Sequence, residues 1–189
     1  MEQNYSVLMS VYEKEKPEYL KEAIESMLNQ TICTNDFVLV CDGPLTPKLD
    51  FVIHVISEQY RGLFQIVRLK KNRGLGTALN IGLKKCKNEL VARMDSDDVS
   101  LPYRCELQLK EFNKNSKLAF CSGDIAEFMT DAKVIQSIRH VPVQYKEILL
   151  FAKKRNPMNH MAVMLKKSAV TAVGGYVEIN FAEDYYLWV

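Results

Sequence analysis

Short apolar runs alternate with helical periodicity along the first hundred residues. Residues 5–12 read as a strand, and Val7-Leu8-Met9 makes it apolar on both faces, as in a buried parallel sheet. Leu20, Ala23, Ile24, Met27 and Leu28 then mark one face of a helix that Pro17 opens at its first turn. Asp36–Cys41 is a second strand. Thr46-Pro47 offers an N-cap and a first-turn proline for a helix facing inward through Leu49, Val52, Ile53 and Ile56. Residues 64–69 form a third strand, followed by a helix carrying Leu75, Ala78, Leu79, Gly82 and Leu83. Leu90–Met94 is a fourth strand, and Leu101-Pro102 opens a helix through Leu109 and Phe112.

This β-α alternation predicts a mainly parallel sheet with right-handed crossovers. The pattern then changes. Residues 118–122, 125–129 and 134–138 read as strands, with Thr130-Asp131-Ala132-Lys133 as a hairpin link. Residues 144–154 read as a helix and 162–166 as a short strand, and a last helix starts near Glu183. Repeats, low-complexity tracts and linkers are absent from the sequence, so residues 1–189 are expected to form a single mixed α/β domain. Trp188-Val189 falls within a helix that has barely begun, with no C-cap, which reads as a truncation.

Composition narrows this little: 48% hydrophobic and 25% charged residues are ordinary for a globular chain. A net charge of +2 gives no reason to expect nucleic-acid binding. Its distribution is more telling, with eight Lys or Arg and one acid, Glu89, between Arg68 and Arg93. That stretch is either a solvated basic face or a local attraction for a phosphorylated ligand. Five cysteines without a CxxC pair suit a reducing cytosol better than a disulfide framework. No run approaches the ~20 apolar residues of a membrane span, and no signal peptide is visible. A cytoplasmic location is therefore expected, leaving room for peripheral contact at the inner membrane face through a segment beyond Val189.

In open α/β sheets ligands bind outside the carboxyl ends of the strands. The first strand ends in Tyr12-Glu13, the second in Asp42-Gly43-Pro44, the third runs into Asn72-Arg73-Gly74-Leu75-Gly76, and the fourth ends in Asp95-Ser96-Asp97-Asp98. Three carboxylates within four residues repel unless a cation joins them. The bland alternative is an acidic turn capping the next helix, with Ser100 also available as a cap. The functional alternative is a hard cation, Mg²⁺ or Mn²⁺, held by carboxylates together with phosphate oxygens and water. Zinc is disfavoured, because no His/Cys cluster has the spacing. Arg73-Gly74-Leu75-Gly76 places a cation and backbone amides at a helix start, where they can face an anion. It lacks the third glycine of a dinucleotide fingerprint and the Gly-Lys-Ser/Thr of a P-loop. His160 lies in the polar stretch Asn156-Pro157-Met158-Asn159-His160, whereas His54 sits on a helix with a structural role. Glu183-Asp184 is either a pair of first-turn helix acids or part of a site.

Taken in order, Ser6-Val7-Leu8-Met9-Ser10-Val11-Tyr12, Val40-Cys41-Asp42-Gly43-Pro44, Asn72-Arg73-Gly74-Leu75-Gly76, Ala92-Arg93-Met94-Asp95-Ser96-Asp97-Asp98, Asn156-Pro157-Met158-Asn159-His160 and Glu183-Asp184-Tyr185-Tyr186-Leu187-Trp188 resemble the motifs of bacterial family 2 glycosyltransferases. The resemblance implies a GT-A fold, with a nucleotide-sugar-binding half over about residues 1–98 and a smaller mixed-sheet acceptor half, incomplete here, over 99–189. It also implies transfer, with inversion, from a nucleoside diphosphate-sugar, UDP being the expected nucleotide, to a saccharide or lipid-linked saccharide. By resemblance Asp42 contacts the base, and Tyr12 and Glu13 border the nucleoside pocket. Asn72, Arg73, Gly74 and Ser96 lie along the nucleotide, Asp95 lies near ribose and metal, and Asp97 binds the metal. Asp184 matches the general base, with Glu183 beside it and His160 bordering the acceptor site. Glu13 departs from the Asn of many members. The Gln-x-x-Arg-Trp motif of processive synthases does not occur in residues 1–189, which favours single-sugar addition. Competing classes are a nucleotide-sugar-binding module without turnover, a metal-dependent nucleotidyl or phosphoryl transferase, and a phospho-accepting signalling domain. The hairpin region and the Glu183-Asp184 segment argue against the last.

Overall fold

The computed structural model of the chain describes residues 4–129, 132–178 and 182–189. Its first half follows the predicted alternation: β1 (Tyr5–Val11), α1 (Pro17–Leu28), β2 (Asp36–Cys41), α2 (Pro47–Gln59), β3 (Phe64–Arg68), α3 (Leu75–Lys85), β4 (Leu90–Met94) and α4 (Arg104–Lys114). β1 pairs in parallel with β2 and with β4, and β2 pairs in parallel with β3. Side-chain alternation sends Val7, Met9, Phe37 and Leu39 into one apolar layer with Leu20, Ile24, Leu49, Ile53 and Leu109 from α1, α2 and α4. Leu8, Val38, Val40 and Val91 face the opposite layer, against Ala78, Leu79 and Leu83 of α3. Helices on both faces explain why the central strands are apolar throughout.

The second half departs from a simple hairpin region. β5 (Phe120–Cys121) and β8 (Met164–Lys166) join the main sheet, β8 running antiparallel to both β4 and β5, which gives the order β3-β2-β1-β4-β8-β5. Among the described residues, only β6 (Ile125–Glu127) and β7 (Ser137–Arg139) form a separate antiparallel pair. β7 begins later than the expected residue 134. Asp124 fixes the register from beyond its end, lying 2.6 Å from His140 Nδ1 and accepting the Val141 N–H at 3.0 Å. Thr130 and Asp131 of the expected hairpin link lie outside the described residues. The remaining α-helices among the described residues are α5 (Tyr145–Ala152), α6 (Lys167–Ala172) and α7 (Glu183–Trp188), and one 3-10 turn spans His160–Ala162. Among the described residues no helix is long and apolar enough to cross a membrane.

Two local expectations are corrected. α4 begins at Arg104, later than Leu101-Pro102, and Ser100 is not its cap. The buried carboxamide of Gln30 captures this junction instead. Its Nε2 donates to Ser100 Oγ at 3.1 Å and to the Leu101 carbonyl at 2.9 Å, and its Oε1 accepts the Cys105 N–H at 3.0 Å. That last bond satisfies a helix-start donor from a distant segment. Thr46, by contrast, caps α2 as expected, its side chain accepting the Leu49 N–H.

Close packing of α3 on the sheet depends on Gly82. A Cβ there would lie 2.4 Å from Leu8 Cδ1 and 2.7 Å from Val40 Cγ2. Gly82→Ala is therefore expected to destabilise the fold by about 1–3 kcal/mol despite the better helix propensity of alanine, read as a lower denaturant midpoint at unchanged slope.

Candidate active site

The site grows from the carboxyl ends of β2 and β4, which flank β1. At the end of β2, the buried Asp42 carboxylate accepts the backbone N–H of Arg73 at 2.7 Å and of Gly74 at 3.0 Å. Asn72 Oδ1 also accepts the Gly74 N–H, at 3.1 Å. These two amides, expected to face an external anion, thus face the protein's own carboxylate. Gly43, at φ +95°, permits the approach, because a Cβ there would sit 2.7 Å from the Asn72 backbone nitrogen. Asn72, Arg73 and Gly74 are exposed on this edge, as are Tyr12 and Glu13 after β1.

At the end of β4, strand alternation puts Arg93 and Asp95 on the same face. Arg93 is 1% exposed, and its Nη1 lies 2.5 Å from Asp95 Oδ2. The pair is an ion pair by distance, yet the protons on Nε and Nη1 are not aimed at any acceptor among the described residues. One carboxylate oxygen each from Asp95, Asp97 and Asp98 falls within 4.8 Å of the others. Burial, then Asp95 and Asp97, pushes Asp98 up to about 6. Burial, then Asp95 and Glu15, also raises Asp97. Three oxygen donors with no histidine or cysteine among them fit a hard divalent ion such as Mg²⁺ or Mn²⁺.

Glu15 was not singled out in the sequence. Its Oε2 accepts the hydroxyl of the buried Ser96 at 2.7 Å, joining the turn after β1 to the acidic cluster. The local signal was a turn closing on Tyr12, where the Glu15 N–H meets the Tyr12 carbonyl at 3.1 Å.

On the other side, Asp184 Oδ2 accepts Asn156 Nδ2 at 2.5 Å, and Asp184 Oδ1 accepts the Tyr185 N–H at 2.7 Å. Glu183 packs against α3, its Cβ 3.4 Å from where a Gly76 Cβ would lie. His160, expected in a polar loop, is instead buried, because Met158 draws this segment into the apolar layer behind α3. Its Nε2 lies 3.0 Å from Tyr176 Oη, and burial followed by the charge of Arg93 holds it neutral, well below the usual histidine range. Tyr176 escaped the sequence reading. Burial is the main cause that raises its phenol; Arg93 opposes that, and Asp184, Glu183 and Asp95 add to it, so this one ring lies within electrostatic reach of both acidic groups.

This architecture is that of GT-A glycosyltransferases. The chain superposes on the mannosyltransferase PcManGT from Pyrobaculum calidifontis, solved with GDP-Man and Mn²⁺, with a TM-score of 0.74 and 15% identity over 99% of this chain and 51% of that one. The chain belongs to glycosyl transferase family 2, whose model matches residues 6–171. It is 43% identical to an uncharacterized glycosyltransferase of Haemophilus influenzae over 98% of this chain and 68% of the relative. It is 37% identical to the Escherichia coli UDP-Gal:alpha-D-GlcNAc-diphosphoundecaprenol beta-1,3-galactosyltransferase over 98% of this chain and 66% of that protein. The chain thus spans about two thirds of these relatives and about half of the solved structure.

The raised carboxyl of Asp98 has a measurable consequence. Its folded value of about 6 exceeds the unfolded value of about 4, so ionising it opposes folding. Without metal, its contribution to stability is lost as pH rises from about 4 through about 6. His160 works in the opposite sense, since its depressed value removes stability as pH falls below about 6.5. The difference between Asp98→Asn and wild type isolates the carboxyl. In chelator, the variant should be more stable by about 1–2 kcal/mol at about pH 7.5, with a smaller gain at about pH 5, by chemical denaturation.

Proposed function

We propose that this chain carries the donor site and catalytic base of an inverting glycosyltransferase. It moves a sugar from a nucleoside diphosphate-sugar, a UDP-sugar by preference, to a saccharide or lipid-linked saccharide acceptor. The observation that carries this reading is the gathering of one carboxylate oxygen each from Asp95, Asp97 and Asp98 within 4.8 Å of one another, on the sheet edge where Asp42 follows β2. The names of the relatives support the donor and acceptor classes, one with UDP-Gal and a diphosphoundecaprenol-linked sugar, another with GDP-Man and Mn²⁺.

Asp97 and Asp95, with Asp98 beside them, hold Mg²⁺ or Mn²⁺ in this reading. When bound, the ion neutralises charge growing on the departing diphosphate. Arg73, exposed on the same edge, adds positive charge, while Tyr12, Glu13, Asn72, Gly74 and Ser96 border the nucleotide. Asp42, committed to the Arg73 and Gly74 amides, shapes the turn that meets the base. Asp184 takes the proton of the acceptor hydroxyl as its oxygen bonds to the anomeric carbon and the bond to the diphosphate breaks. A single displacement inverts that carbon and needs no second carboxylate as nucleophile. Asn156 orients the base, and Glu183 lies beside it at the acceptor. A lipid-linked acceptor would set the reaction at a membrane face. Release of a nucleoside diphosphate, not pyrophosphate, separates this reading from nucleotidyl transfer.

Asp97→Ala is expected to abolish metal-dependent binding of UDP, measured by calorimetry with and without Mn²⁺, while the melting temperature holds or rises because a crowded carboxylate is gone. An unchanged metal requirement would remove Asp97 from the ligand set. Asp184→Asn should lower the transfer rate by about 10²–10⁴-fold with little change in donor affinity, since a general base acts mainly in the transition state. Near-normal transfer would return Asp184 to a helix-start acid.

A further inference from the structure

α3 presents one polar face to the segment that leads into α7. Residues 76, 77 and 80 share that face by helical spacing, and Arg73 lies just before the helix start. Arg73 Nη2 lies 3.9 Å from Glu178 Oε1, and Thr77 Oγ1 donates to the same oxygen at 2.6 Å. Gly76 lets the Val177 carbonyl approach, for a Cβ at Gly76 would sit 3.0 Å from it. The firmest contact is Asn80, whose Nδ2 donates to the Tyr176 carbonyl at 2.6 Å while its Oδ1 accepts the Tyr176 N–H at 2.8 Å. The residue before Tyr176 is Gly175, at φ +82°, and a Cβ there would stand 2.4 Å from Asn80 Oδ1.

The clamp continues through Tyr176. Its hydroxyl meets His160, which closes the segment begun by Asn156, and Asn156 holds Asp184. Asn156 Oδ1 also accepts the Met158 N–H at 3.1 Å, which steadies that turn. α7 itself has six residues and no side-chain cap; Leu187 and Trp188 pack on the core at its far end, and Asn156 is the side chain that holds Asp184 near its start. At its own start, α3 is anchored to the donor edge by Asp42 through Arg73 and Gly74. One helix therefore touches both halves of the site.

We propose that Asn80, acting through Tyr176, is a positioning residue that sets the acceptor-side carboxylates Glu183 and Asp184 relative to the donor edge. The inference rests on the reading of Asp184 as base. Asn80 touches neither donor nor acceptor, and its effect is geometric. A displacement of about 1 Å at a reacting group is enough to cost about 10²-fold in rate.

The test uses Asn80→Leu, which keeps the branched outline of the side chain and removes both hydrogen bonds, in the intact protein. With a donor and acceptor that the wild type turns over, kcat should fall about tenfold or more, while UDP affinity in Mn²⁺ stays within about twofold. Hydrogen exchange, which needs no substrate, should quicken in α7 and stay unchanged in β4. Should Asn80→Leu fail to fold, Tyr176→Phe decides, since it removes one oxygen and only the His160 link. It should lower kcat several-fold with the same exchange signature. A folded Asn80→Leu with unchanged kcat, or a loss of UDP affinity in step with kcat, overturns the proposal. Asp184→Asn run in parallel separates the two claims. If it is inactive while Asn80→Leu is active, only the positioning role fails. If it stays active, the assignment of the base fails, and exchange still reports whether the clamp holds α7.

Discussion

A guanidinium with almost no contact with water lies beneath the acidic cluster, and much of the site is arranged around it. Burial and then mutual repulsion raise the carboxyls of Asp97 and Asp98, so a nearby cation eases the cluster. Arg93 supplies it against Asp95. A buried arginine is tolerated only when paired, and the strand that carries it is also tied down through its backbone to the segment just before β8. The Arg93 N–H donates to the Val163 carbonyl, and Arg104 Nη2 donates to both the Arg93 and Val163 carbonyls. His160, three residues before Val163, is kept neutral partly by the same cation, which suits a ring buried against Tyr176 and Trp188.

The first half of the fold was legible because its signals are local. Apolar runs, Pro17 and Thr46-Pro47 mark elements through backbone geometry and capping, which act within a few residues. The acids at the ends of β2 and β4 were readable for the same reason, since strand ends in a parallel sheet gather on one edge. What was not legible depends on partners far apart in the chain. Gln30 capping α4 replaces a local serine that looked sufficient on paper. β8 pairs with β4 across more than seventy residues, and a three-residue strand carries no signal of its neighbour. Glu15, Asn80, Asn156 and Tyr176 are ordinary residues in sequence and acquire roles only through contacts that the fold creates. His160 was misplaced because the flanking asparagines outweighed Met158, whose burial decides where the segment goes.

The two sides of the site are held by different means. Asp42 and Asp95 extend from central strands whose ladders and apolar faces are among the best-buried parts of the molecule. Asp184 stands on a six-residue helix with no fully buried residue, which reaches the core only through the partly buried Leu187 and Trp188, and the neighbouring α5 likewise has no fully buried residue. Each hydrogen bond that steadies it is worth only about 1 kcal/mol net, whereas the strands share the cooperative stability of the whole core. Local opening of α7 is therefore far less costly than any disturbance of the donor edge. On the proposed assignment of Asp184 as base, donor binding and transfer would be separable. A molecule that binds nucleotide without turnover is not a rival architecture to the glycosyltransferase. On that assignment it is the same architecture with its acceptor side released, and the contacts from α3 to Tyr176 and from Asn156 to Asp184 are the ones that would oppose the release.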